Sequence, residues 1–265
     1  MNNRYIGALI LSPLIILLFL GGIYLKYGIM ILSLLGMHEF YKVTREKNIH
    51  SIDVIAYLLC IIYYITLGWD VNFKLIFILL IISIFIFMCI PVLDMEYNFI
   101  DISITVLGFL YVSVFFSFIV LVNNKVYGNY LIWIIFISSW LCDTAAYYSG
   151  RAFGKTKLCP KISPKKTVEG SIGGMFGSAI GCGIFGYIIQ NKGVSISIYH
   201  FVILGIICGV FSQFGDLSAS SIKRYVGVKD YANLIPGHGG ILDRFDSILF
   251  ASVIVYYYIT FIVGI

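Results

Sequence analysis

Ser220–Asp246 reads SSIKRYVGVKDYANLIPGHGGILDRFD. Within it stand Lys223, Arg224, Lys229 and Arg244, the aspartates Asp230, Asp243 and Asp246, and His238, with glycines between them. On either side the chain is apolar, over residues 198–217 before it and 245–264 after it. A helix needs about 20 predominantly apolar residues to cross the hydrocarbon core of a bilayer, and both flanks have that length. The stretch is therefore an interfacial loop between two candidate spans. Charge and glycine concentrated at such a boundary imply more than a connector.

Composition extends this to the whole chain. Of its 265 residues, 60% are hydrophobic and only 12% charged, and the mean hydropathy is +0.97. Soluble domains carry about 25% charged residues, so this chain cannot cover a water-facing surface and its solvent is largely lipid. The net charge of +5 does not point to nucleic acid. The cations sit in a few loops between apolar runs, which indicates membrane topology and anionic lipid or nucleotide instead. The six cysteines form no CxxC pair and lie mostly in apolar runs, where cysteine acts as a small hydrophobe. The first 25 residues have a basic start and an apolar centre without a small-residue cleavage site, which predicts a retained span.

Windows at 5–23, 26–42, 53–69, 73–92, 102–122, 128–149, 171–190, 198–217 and 245–264 predict about nine transmembrane helices. The expected fold is all-α and polytopic, and a tight Gly21-Gly22 turn makes a helical hairpin of the first two spans. Basic residues favour cytoplasmic loops. With a cytoplasmic N-terminus, every Lys and Arg except Lys26, Lys74, Lys125 and Lys192 falls on the cytoplasmic side. Residues 1–122 then read as an apolar scaffold in which His38-Glu39 and His50 are interfacial. Residues 123–265 read as a catalytic region with cytoplasmic loops 150–170 and 218–244.

The second region carries the chemistry. Asp143 falls inside the apolar run WLCDTAAYYSGR, and an aspartate at membrane depth marks a functional position by default. It is left open whether it meets metal, substrate or a neighbouring helix. Asp216, near the end of the next-to-last span, is a second such carboxylate. The loop GRAFGKTKLCPKISPKKTVEG at 150–170 is one residue short of GxxxxGK[ST], follows a membrane helix and contains Pro160 and Pro164, so it is not a P-loop. Its cations, Lys155, Lys165 and Lys166 among them, still suit phosphate. Gly173, Gly177 and Gly181 form a doubled GxxxG ridge for close helix packing.

Asp243 and Asp246 are three apart at the start of the last helix, which puts both on one face within reach of a shared cation. Mg²⁺ takes few carboxylates and completes its shell with phosphates and water. Gly237–Gly240 lets backbone approach a ligand closely, with its N–H groups facing an anion at the helix N-terminus. Lys223, Arg224 and Lys229 supply positive charge for phosphates. Together these residues read as phosphoryl or nucleotidyl transfer at a membrane surface.

The pattern Ser220-x-Ile222-Lys223-Arg224-x4-Lys229-Asp230-x-Ala232-x2-Ile235-Pro236-x-His238-Gly239-Gly240-Ile241-x-Asp243-Arg244-Phe245-Asp246 resembles the signature of the phosphatidate cytidylyltransferases, or CDP-diacylglycerol synthases. The resemblance extends upstream to Gln213–Asp216, to Ser163–Gly170 and to Asp143–Lys155, covering about the second half of the chain. It implies an integral membrane enzyme, and the distribution of Lys and Arg turns its active site to the cytoplasmic face of the cell membrane, the bacterial inner or plasma membrane. It further implies conversion of CTP and phosphatidic acid to CDP-diacylglycerol and pyrophosphate with Mg²⁺, by a helical homodimer, and leaves room for a monovalent cation such as K⁺. Asp216, Asp243 and Asp246 are the implied metal positions, and Lys223 and Arg224 join Asp243 and Asp246 as catalytic residues. Asp143, Lys155, Lys165, Lys166, Ser220, Lys229, His238, Gly239, Gly240 and Arg244 are the expected substrate contacts. A CTP-dependent lipid-alcohol kinase is the nearest alternative chemistry, and a secondary transporter the nearest alternative class. The transporter predicts two matching halves, whereas here the halves differ and polarity gathers in the loops of one face.

Overall fold

The structure, a computed structural model, describes residues 3–68, 73–234 and 239–265. Helices dominate it, as the apolar windows require: α1 (Asn3–Leu20), α2 (Gly22–Thr44), α3 (Asp53–Thr66), α4 (Phe73–Leu93), α5 (Phe99–Gly108), α6 (Phe115–Asn123), α7 (Gly128–Phe153), α8 (Val168–Gln190), α9 (Ile198–Val226) and α10 (Leu242–Tyr258). A π-helical turn at Phe109–Val114 joins α5 to α6, and another at Ile259–Val263 extends α10. Gly21 and Gly22 have φ of 61° and 52°, the left-handed backbone that lets α1 turn directly into α2.

Five helical stretches among the described residues are long and apolar enough to cross a membrane: Phe99–Asn123, Gly128–Phe153, Val168–Gln190, Ile198–Val226 and Leu242–Val263. The α3 helix has only 14 residues. The all-α expectation needs one amendment. Inside the 150–170 loop, β1 (Lys157–Cys159) pairs antiparallel with β2 (Ser163–Thr167), Lys157 opposite Thr167 and Cys159 opposite Ser163. Pro164 fits there because a two-stranded hairpin leaves every strand one unpaired edge.

The chain forms two compact units. One comprises Met1–Asn124 with Tyr225–Asp243, the other Lys125–Arg224 with Arg244–Ile265. In the first unit, polar side chains join apolar helices as they do in bilayers. The Ser33 and Tyr64 hydroxyls are 2.8 Å apart, those of Tyr63 and Ser117 are 2.8 Å apart, and Tyr41 Oη donates to the Thr105 carbonyl at 2.7 Å. Tyr64 Oη also donates to the Ser113 carbonyl, inside the π-helical turn. Asp101 is buried because it caps twice: it completes a capping box with Asn98 and accepts the His50 N–H at 2.7 Å.

In the second unit, small residues decide which helices meet. A Cβ on Gly173 would overlap Ser149, one on Gly177 would overlap Ala145, and one on Gly181 would overlap Leu141. The glycine ridge of α8 therefore lies directly against α7. Ile172, Phe176, Ile180, Ile184 and Tyr187 keep the opposite face of α8 apolar and exposed, as contact with lipid demands. The backbone of α9 at Gly205 and Gly209 approaches Ser178, Ala179 and Met175 of α8, and Gly215 lies against the Asp246 carbonyl of α10. These close approaches pack α8 against α7 and α9, and α9 against α10.

Candidate active site

In the second unit a cleft of about 370 Å³ opens between α7, the β-hairpin and the polar end of α9. Asp143, Tyr147 and Arg151 line it from α7, Lys165 and Lys166 from β2, Gly170 from α8, and Gln213 and Asp216 from α9. Lys166 Nζ stands 2.5 Å from Asp216 Oδ2, with the two side chains 27% and 29% exposed. The other Asp216 oxygen accepts from Ser220 Oγ at 3.2 Å, one helical turn further along α9. Gln213 fixes this end of α9, since its amide donates to the Gly209 and Ser171 carbonyls at 2.8 and 3.2 Å.

Asp143, Asp216 and Asp246 lie within electrostatic reach of one another. Asp246 feels Asp216, Asp143 and Lys223, and Asp143 feels Asp216, Lys166 and Arg244. Lys166, Lys223 and Arg244 offset part of this mutual repulsion. Carboxylates this close repel unless cations stand between them, so the arrangement suits a ligand that brings both charge signs, a phosphate together with its counter-ion. Among the described residues, no three of the His, Cys, Asp and Glu side chains stand close enough to hold an ion by themselves. The donors here, paired carboxylates beside a phosphate-sized cleft, match the habit of Mg²⁺, which takes one or two carboxylates and leaves the rest of its shell to phosphates and water.

The other expected residues divide between the units. Lys223 is buried and Arg224 exposed on the last turns of α9, with Arg244 exposed on α10. The backbone N–H groups of Lys155 and Thr156 donate to the Glu169 carboxylate at 3.1–3.2 Å. Glu169 is therefore the staple that ties the hairpin to the first turn of α8, and Thr167 Oγ1 caps that turn by accepting from Gly170 N at 3.1 Å. In the first unit, Lys229 borders a second cleft with Lys42, Glu46 and Asp230. Asp243 Oδ2 accepts the N–H groups of Tyr231 and Gly240 at 2.8 and 2.9 Å. Gly239 has φ +82°, a conformation that favours glycine. His238 and Gly237, singled out from the sequence, lie outside the described residues.

The anion expected at the N-terminus of α10 comes from the chain itself. Ile241 and Leu242 donate their N–H groups to the two oxygens of Glu39 at 2.8 and 2.9 Å. The glutamate is 3% exposed. Sequence reasoning placed Glu39 at an interface, and no local signal ties it to residues some 200 positions away. Tyr147 and Arg151 were legible but passed over. With Asp143 they recur every four residues, one stripe of α7.

The family model described as the cytidylyltransferase family matches residues 2–262. The chain is 34% identical to the phosphatidate cytidylyltransferase of Staphylococcus haemolyticus over 249 residues, 92% of each chain. It is 37% identical to the protein of the same name from Bacillus subtilis over 162 residues, 61% of this chain and 59% of that one. A third relative, from Staphylococcus saprophyticus, is 41% identical over 58% of each chain.

Proposed function

The chain belongs to the cytidylyltransferase family, and from that premise we propose that it transfers the cytidylyl group of CTP to phosphatidic acid, forming CDP-diacylglycerol and pyrophosphate. The observation that carries this is the meeting of Asp143, Asp216 and Asp246 with Lys166, Lys223 and Arg244 beside a cleft at the polar end of apolar helices. The chemistry needs that place, because one substrate is a water-soluble nucleotide and the other a lipid.

A phosphatidate oxygen attacks the α-phosphorus of CTP. The new P–O bond forms as the bond to the α,β-bridging oxygen breaks, and pyrophosphate leaves with the electron pair. The attacking phosphomonoester is already anionic near neutral pH, so no strong general base is required. Lys165, Lys166 and Arg151 on the cleft wall meet the phosphates, and Lys223 and Arg244 offset charge gathering on the departing pyrophosphate. Asp216 and Asp246 would hold Mg²⁺, which would neutralise charge developing on the phosphates. Asp143 faces the same charge cluster from α7. Asp243, with one oxygen on the Tyr231 and Gly240 N–H groups, shapes the loop before α10. K⁺ beside Mg²⁺, a homodimeric state, nine spans with a cytoplasmic N-terminus, and a catalytic face toward the cytoplasm of the cell membrane belong to the same proposal.

Purified protein given CTP, Mg²⁺ and phosphatidic acid in mixed micelles releases pyrophosphate and forms CDP-diacylglycerol. Release of CDP in place of pyrophosphate would show γ-phosphoryl transfer, as in a lipid kinase. Formation of neither pyrophosphate nor CDP-diacylglycerol overturns the assignment, as does release of CDP.

A further inference from the structure

We propose that Glu39 is a positioning residue for the start of the last helix, and through that helix for Arg244 and Asp246. The first N–H groups of any helix lack intrahelical partners, and in apolar surroundings an unmet donor is costly. At the start of α10 the Ile241 and Leu242 donors, and two amides ahead of them, have carboxylate partners. Glu39 Oε1 takes Ile241 and Oε2 takes Leu242. Asp243 Oδ2 takes Gly240 and Tyr231. Two carboxylates therefore hold four backbone amides, three of them the successive amides 240, 241 and 242.

The surroundings are shaped for this contact. A Cβ on Gly240 would stand 2.5 Å from Glu39 Oε2, so the glycine admits the carboxylate. A Cβ on Gly36, one turn before Glu39, would meet the Leu242 side chain at 3.2 Å, so α2 lets the first residue of α10 pack against it. The contact is also well placed for function. Arg244 and Asp246 follow Leu242 within one turn of α10, so the orientation of that turn fixes where both side chains point. A carboxylate is the right cap here, since negative charge at a helix N-terminus opposes the helix dipole.

The test uses the full-length protein in detergent micelles and two variants that loosen the clamp from opposite sides. Glu39→Gln keeps the shape but turns an NH₂ toward one of the two N–H donors. Gly240→Ala drives a methyl group against the carboxylate. The proposal expects amide exchange at Ile241 and Leu242 to quicken about tenfold or more, the loss of one charge-assisted hydrogen bond. Exchange across α8 stays at the parent rate. It also expects kcat for pyrophosphate release to fall about tenfold, with KM for CTP within about twofold, because orientation and not affinity is lost. Unchanged exchange at the two amides in either folded variant overturns the clamp. Quickened exchange with parent kcat overturns the positioning role and leaves a purely structural cap. The kinetic arm rests on the transferase assignment, and the exchange arm does not. A parent protein that releases no pyrophosphate therefore defeats that assignment while the clamp is still measured.

Discussion

Gly170→Ala is the smallest change that tests whether the packing of α7 on α8 builds the cleft. A Cβ at this position would stand 2.8 Å from the Ala146 carbonyl oxygen, 2.9 Å from Thr167 Oγ1 and 3.1 Å from Gly150 Cα. Close C···O contacts settle at about 3.3–3.6 Å, so α7 and α8 must part by about 0.5 Å at this level. The obstructing atoms are backbone and a capping hydroxyl, which cannot rotate away. Overpacking of this kind costs about 1–3 kcal/mol, and disturbing the Thr167 cap adds about 0.5–2 kcal/mol. Ala146, Gly150, Thr167 and Gly170 all line the cleft, so the displacement moves Asp143 and Lys166 apart. If misplacement by about 1 Å costs roughly a hundredfold in rate, half of it costs about tenfold. The assay pairs thermal unfolding in detergent with pyrophosphate release, using Gly183→Ala as control. The Cβ there would meet only the end of the Val202 side chain, at 3.0 Å. Gly170→Ala should lose both stability and kcat while Gly183→Ala keeps both. Parent-like stability and turnover in Gly170→Ala would refute the argument that this crossing sets the site.

Asp216→Asn and Asp246→Asn should each lower turnover at least about a hundredfold, the scale of removing one electrostatic contact to a transition state, with an unchanged elution profile in size-exclusion chromatography. Turnover within tenfold of the parent in either would remove that residue from the proposed metal pair. Chelation by EDTA should abolish pyrophosphate release, and Mg²⁺ should restore it. Cysteines placed at Lys125 and Lys192 should react with an impermeant thiol reagent from outside intact cells, and one at Lys161 only after permeabilisation. The opposite pattern would invert the proposed topology.

The carboxylates of the candidate cluster were legible where their chemistry is local. Asp143 and Asp216 stood out by cost alone, each a charge in an apolar run, and the structure sets both in one charge cluster with Asp246. The doubled GxxxG ridge of α8 met α7 as expected, since only small residues allow such an approach. The hairpin was not legible. Lys157–Thr167 has no alternating apolar pattern, and what folds it is the Glu169 carboxylate reaching back to the Lys155 and Thr156 amides. The grouping of Tyr225–Asp243 with the N-terminal unit was hidden for a related reason. One of its contacts is made by Glu39, a residue whose own neighbourhood in the sequence looks interfacial.

That contact alters what the long signature before α10 demands. Four cations and three aspartates in 27 residues suggest a stretch whose side chains all meet substrate. Yet the backbone amides of Tyr231, Gly240, Ile241 and Leu242 are all taken by carboxylates of the chain itself. Asp243 and Asp246, three apart on one helix, differ in their surroundings. One oxygen of the first accepts the Tyr231 and Gly240 amides, and the second feels the charges of Asp216 and Asp143. The N-terminal helices in turn supply, through α2, the anion that fixes where the last helix begins.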